Sequence, residues 1–242
     1  MNEIINIVIG LLGATIILRG CGVFIVNRNN IKNIVGLNFS WDVFKISSKL
    51  FIILLLLFSF IFYLNLQYNL VTYEININFY AILRDAYSLF LSSIFEEFIF
   101  RVLIFLSLVK LLKNEYLIIL ISALIFSAIH FPANIVSSVS YLLGGVMYGY
   151  SYFKFKNIII PIILHFSWNF IQGVVFGFPV SGITLNRLLY LNITPSIFFN
   201  GGGQGIEGSI MGIVIRLVII VAIYLFPYKG MDVKFMNLYK TI

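Results

Sequence analysis

Two glutamates, an arginine, two histidines and an asparagine carry the chemistry this sequence could perform. Glu96, Glu97 and Arg101 fall within one short run, and His130 and His165 are the only histidines in the chain. Asn169 follows His165 by one helical turn. On a helix, Glu97 and Arg101 at i,i+4 share a face and can form an ion pair. Glu96 is one position earlier and points about 100° away, given 3.6 residues per turn. The spacing predicts a division of labour. Arg101 neutralises and orients Glu97, while Glu96 keeps a carboxylate for proton transfer. Peptide hydrolysis needs such a base for water, an acid for the leaving amine and donors for the tetrahedral oxyanion. Glu96 can be the base, His130 can hold the water or pass protons, and His165 with Asn169 can present donors to one oxygen. A metal is the other route to activated water. Zinc on Glu96, His130 and His165 with an open fourth position is conceivable. The residues do not require it, and the helical His-Glu-x-x-His pattern is absent.

The elements that must position these groups are transmembrane helices. Of the 242 residues, 61% are hydrophobic and only 10% charged. A soluble domain is nearer half apolar and a quarter charged, so this excess needs lipid as solvent. About seven stretches are long and apolar enough to cross a bilayer, which takes roughly 20 residues each. They lie near Ile4–Val26, Leu50–Leu70, Tyr87–Val109, Tyr116–Phe131, Val136–Phe153, Ile158–Phe178 and Ser209–Tyr228. The fold expected is an all-α polytopic bundle forming a single membrane domain over 1–242. The first stretch lacks a basic n-region and a convincing small-x-small site, and is read as a retained span rather than a signal peptide. Asn33–Lys49, with Trp41 and Phe44, reads as an amphipathic interfacial helix.

Basic residues alternate between loops. Arg28, Lys32, Lys45 and Lys49 follow the first span, Lys110 and Lys113 the third, Lys154 and Lys156 the fifth, and Lys229, Lys234 and Lys240 the last. The intervening loops are poor in them. The positive-inside rule then puts the N-terminus outside and the C-terminus in the cytoplasm. The net charge of +7 is accounted for in this way, and no basic run resembles a nucleic-acid patch. Cys21 is the only cysteine, which excludes an intrachain disulfide and a Cys-rich metal site. The outer loop Gly182–Gly208, with Gly201, Gly202, Gly203 and Gly205, reads as a mobile connection or, less directly, a substrate-facing lid.

Ionisable groups inside spans are costly and mark function by default. Arg19, near the end of the first span, and Arg216, in the last, read as anchors that snorkel or pair with a buried acid. For the central cluster, a helical rise of 1.5 Å per residue gives an independent check. Counted from the cytoplasmic ends of their spans, Glu96, His130, His165 and Asn169 fall in a slab roughly 10 Å thick.

Taken in order, these residues resemble a known family. Glu96-Glu97-Phe98-Ile99-Phe100-Arg101 matches the EExxxR motif of the CAAX-protease and bacteriocin-processing (CPBP, or Abi) intramembrane proteases. Phe126–His130 matches its FxxxH motif, and His165–Asn169 its HxxxN/D motif. The resemblance covers about Ser88–Gln172. It implies that Glu96 activates water together with His130, and that His165 and Asn169 form the oxyanion hole. Both metal-dependent and metal-free mechanisms are argued for the family; the metal-free one is the expectation here, with zinc possible. The implied substrate is a membrane-associated peptide or protein, in peptide maturation, bacteriocin immunity or signalling-peptide processing. Richness in Ile, Asn, Phe, Tyr and Lys suggests an A/T-rich bacterial genome and hence the bacterial cell membrane. The competing readings are a non-catalytic peptide-binding immunity or scaffold protein with a membrane-protein partner, and a proton-coupled transporter. The transporter would be favoured by inverted repeats or broken helices, and neither is apparent.

Overall fold

A computed structural model describes residues 2–26, 35–109, 111, 112 and 114–227, with side chains from Leu12 onward in the first helix. The described chain is mostly helical. Its helices are α1 (Asn2–Val26), α2 (Trp41–Gln67), α3 (Phe79–Glu97), α4 (Ile104–Val109), α5 (Glu115–Ile129), α6 (Ile135–Phe155), α7 (Ile159–Asn169) and α8 (Ile210–Leu225). A π-helical turn, Phe98–Leu103, joins α3 to α4 without a break, and a second, Phe170–Val175, continues α7.

Small polar residues fix where the helices start. Ser40, Asn78, Asn114, Asn134 and Ser209 each accept a backbone N–H of the first turn of the helix they precede. At Asn134 the bond is reciprocated by Ser137, giving a capping box. Such caps satisfy donors that the helix itself leaves unpaired. The Ser40 cap changes one expectation. The segment beginning at Trp41 is not a separate interfacial helix, because α2 runs unbroken from Trp41 to Gln67; Asn33 and Ile34 lie outside the described residues.

α2 buries Val43, Ile46, Leu50, Leu54, Phe58, Ile61 and Asn65 along one stripe, while Ile52, Leu56, Phe60 and Tyr63 on other faces are exposed. The same holds for α5, where Leu117, Leu120 and Leu124 face outward, and for α8, where Leu217, Val221 and Leu225 do. A helix that is apolar on its outward face as well as its inward one needs apolar surroundings. By length and composition, Trp41–Gln67 is the single described helix that qualifies on its own as a membrane span; α5 and α8 are shorter apolar helices. Arg19 is exposed, as an anchoring role requires. Between α5 and α6 the backbones come close at Gly145, where an added Cβ would lie 2.7 Å from the Ala123 Cα. Small residues permit that approach.

The connections on one side of the bundle hold structure that periodicity did not predict. Val71–Ile75 (β1) pairs antiparallel with Leu189–Ile193 (β2), with Val71 opposite Ile193 and Ile75 opposite Leu189. The glycine-rich segment is tied down rather than open. Asn200 is fully buried. It donates to Asn65 Oδ1 at 2.9 Å and to the Thr194 carbonyl at 3.0 Å, and accepts from the amides of Ser196 and Gly202. Gly201 and Gly205 have φ of 64° and 73°, a region where a Cβ is costly. The glycines therefore serve a tight folded cap. Two short 3₁₀ turns, Gly202–Gln204 and Ile206–Gly208, complete it.

Candidate active site

The two π-helical turns lie directly beside the polar residues. Glu96 and Glu97 end α3, Arg101 sits within the first π turn, and Asn169 ends α7 just before the second. Arg101 Nε donates to Glu97 Oε2 at 2.7 Å, with both side chains at 0% exposure. Arg101 Nη1 also donates to Ser122 Oγ on α5 at 3.0 Å, and Ser122 in turn donates to the Phe100 carbonyl at 3.2 Å. The expected pair is therefore formed, sealed, and clamped to a neighbouring helix. Its other carboxylate oxygen serves a second partner: Glu97 Oε1 lies 2.9 Å from His165 Nδ1. A carboxylate accepts only, so the His165 Nδ1 carries the proton and donates. That leaves His165 Nε2 facing Glu96.

Glu96 has different surroundings. Its side chain is 27% exposed and that of His130 14%, against 0% for Glu97, so the reactive side of the cluster is the accessible one. Glu96 Oε1 accepts from Ser92 Oγ at 2.9 Å, one turn earlier on α3. Glu96 Oε2 is buried, has no hydrogen-bond partner, and faces His130 Nε2 at 3.8 Å and His165 Nε2 at 4.0 Å. Those distances are too long for hydrogen bonds. They are the spacing at which a water oxygen bridges polar atoms.

His130 is not inside a helix, as its apolar neighbours suggested, but caps the end of α5. Its Nδ1 lies 2.7 Å from the Phe126 carbonyl, one of the oxygens a helix terminus leaves free. A carbonyl accepts only, so Nδ1 holds the proton and neutral His130 offers a lone pair at Nε2. The next residue, Phe131, has φ of 46°. This is an uncommon conformation for a bulky residue, and such positions cluster at functional sites. Asn169 is 7% exposed, and its side chain makes no hydrogen bond among the described residues. Among those residues, no group of three His, Cys, Asp or Glu side chains is arranged to hold a metal ion.

Arg216 belongs to a second buried cluster. It donates to Glu207 Oε1 at 3.1 Å and to Ser140 Oγ, and its guanidinium lies 4.3 Å from the centre of the Trp168 ring. Glu207 Oε2 accepts from both the amide and the hydroxyl of Ser181. The buried acid expected for Arg216 is thus in the outer cap. Its role is to fasten that cap to α6 and α8.

Residues 78–171 match the family model described as type II CAAX prenyl endopeptidase, Rce1-like. This segment belongs to the CPBP family of CAAX-type proteases. The CPBP match opens at Asn78, the cap of α3, ten residues earlier than the motifs indicated, and it contains all of Glu96, Glu97, Arg101, His130, His165 and Asn169. The family is membrane-embedded, and its substrates are membrane-associated peptides. No curated protein and no solved structure matches the chain.

Ser92, Ser122, Glu207 and the rings around the histidines escaped the sequence reading. Ser92 had a usable signal, since it precedes Glu96 by four residues, a spacing that brings side chains together on a helix. Ser122 and Glu207 had none, because their partners are distant in the chain.

Proposed function

We propose that this protein is an intramembrane endopeptidase that hydrolyses a membrane-associated peptide with water activated by Glu96 and no metal. The observation that carries this reading is the unpartnered, buried Glu96 Oε2 facing two imidazole nitrogens across a water-sized gap. A water there donates one hydrogen to Glu96 Oε2 and the other to His130 Nε2. Its oxygen lone pair then points at a substrate carbonyl carbon. As the C–O bond forms, Glu96 takes the proton and the carbonyl electron pair moves to oxygen. Protonated His165, donating from Nε2, and the Asn169 amide stabilise that oxyanion. Collapse re-forms the carbonyl and breaks the C–N bond, and Glu96 returns its proton to the departing amine. Glu97 and Arg101 hold His165 in place and do not exchange protons with substrate.

The described helices, apolar on their outward faces, support a bundle of about seven spans. Its N-terminus is outside and its C-terminus in the cytoplasm of a bacterial cell membrane. The role fitting such a site is maturation of a bacteriocin, immunity factor or signalling peptide. The test is a peptidomic comparison of membranes carrying wild-type protein and Glu96→Gln. Loss of the general base lowers the rate on the order of 10²–10⁴-fold, so uncleaved precursor accumulates. Gln keeps the acceptor for Ser92, so the variant folds. Equal cleavage by Glu96→Gln, or a folded wild-type protein that cleaves nothing, overturns the reading.

A further inference from the structure

Both histidines of the site lie against a tyrosine of the same helix. Tyr141 stacks on His130, with ring centres 4.9 Å apart and planes 27° off parallel. Tyr148 stacks on His165 at 4.5 Å and 15°. The two tyrosines are seven residues apart on α6, which brings them to nearly the same face two turns apart. Tyr141 is 1% and Tyr148 2% exposed. Tyr141 is itself fixed, since its hydroxyl donates to Gln204 Oε1 in the outer cap at 3.0 Å. Phe126 packs against the His130 ring at 4.3 Å.

We propose that Tyr141 and Tyr148 are positioning residues that set the planes of the two imidazoles. An imidazole turns about two side-chain torsions. The Nδ1 hydrogen bond to the Phe126 carbonyl or to Glu97 anchors one edge of each ring, but a single bond leaves rotation about its own axis. A flat ring face 4.5–4.9 Å away removes that freedom. Both Nε2 atoms are then held on the same Glu96 oxygen. One helix face serves both rings, so their mutual orientation comes from the i,i+7 spacing. Through Gln204, the orientation of His130 also depends on the outer cap.

This inference rests on the proposed hydrolase only for its effect on rate, and the experiment separates the two. Full-length protein in bicelles, labelled at histidine, reads ring packing directly through the ring-current shift of each Hε1 resonance. Tyr141→Phe and Tyr148→Phe keep the stack and the shift; Tyr141→Leu and Tyr148→Leu lose it at the matching histidine alone. Peptide hydrolysis per folded molecule falls tenfold to about a hundredfold in kcat for the Leu variants, with KM little changed, because misplacement of reacting groups acts on that scale. The Phe variants restore most of it. Tyrosines that merely fill space would lower thermal stability and leave kcat per folded molecule intact. Should Tyr148→Leu fail to fold, Tyr141→Leu carries the test, since His130 lies at a helix end. Unshifted histidine resonances or wild-type kcat in the folded Leu variants overturn the proposal. If wild-type protein hydrolyses nothing, the resonances still decide whether the tyrosines set the rings.

Discussion

The Glu97–Arg101 pair allows the sharpest test, because its stability and its function separate. Both side chains have 0% exposure. Arg101→Met leaves Glu97 buried with His165 as its remaining partner. Breaking a buried pair costs about 3–5 kcal/mol. The lost bond to Ser122 adds about 1 kcal/mol. Against a typical total of roughly 5–15 kcal/mol, that puts the variant near the limit of folding. Glu97→Leu strands the guanidinium and carries a similar cost. Removing both charges in Glu97→Leu/Arg101→Met strands neither, and such replacements are often near neutral. The double variant is therefore expected to be more stable than either single one, with a coupling energy of about 3 kcal/mol or more. Activity behaves differently. His165 has lost the acceptor at Nδ1 in the double variant, so peptide cleavage stays at the single-variant level although stability returns. Equilibrium unfolding in bicelles of the wild type and three variants measures the cycle. Additive destabilisation, or a double variant that recovers activity along with stability, would refute the assignment of Glu97 as an internal anchor for His165.

Two other expectations concern the periphery. Arg216→Ala strands Glu207 beneath the cap, so thermal unfolding should show a loss of about 3–5 kcal/mol; a melt equal to wild type would contradict the fastening role. Asp85 on α3 accepts from the amide and side chain of Asn186 and from Arg84. Burial works against its ionisation, but these bonds outweigh it and hold its carboxyl below the ordinary value of 3.8. The folded value is depressed. The Asp85 contribution is therefore complete above the unfolded value and lost only as pH falls through the folded one. The Asn186 amide resonance should be flat from neutral pH down to about 4 and move below it; titration near neutrality would exclude this contact.

The parts legible in the sequence were those with local or periodic causes. Glu97 and Arg101 are four apart on one helix, so their pairing needed no knowledge of neighbours. The apolar runs marked the helices, though α3 begins at Phe79, well before the expected Tyr87, because the Asn78 cap lies upstream of the apolar run. The features that escaped were set by contacts distant in the chain. Asn65 and Asn200 meet across 135 residues, and the β1–β2 pairing joins segments more than a hundred residues apart. Neither has a local signal. The glycines of the outer cap depart from expectation for a related reason. Glycine tolerates positive φ in a rigid turn as readily as it permits motion, and only the buried Asn200 decides between the two.

The π turns explain why adjacent glutamates can differ so much. A π turn inserts an extra residue into the helical repeat, rotating the later part of the helix relative to the earlier part. Placed just after Glu97, it lets Arg101 swing beneath Glu97 and reach Ser122 while Glu96 stays on the accessible side. A second π turn after Asn169 does the same for α7, freeing the residues beyond from the register that aims His165 and Asn169. Such turns recur at functional sites, where a regular helix cannot meet two orientation demands at once. The site thus uses backbone irregularity to put one carboxylate at 0% exposure and its neighbour at 27%. With neighbouring positions held in such different surroundings, one carboxylate can stay a fixed charge for His165 while the other exchanges a proton with water.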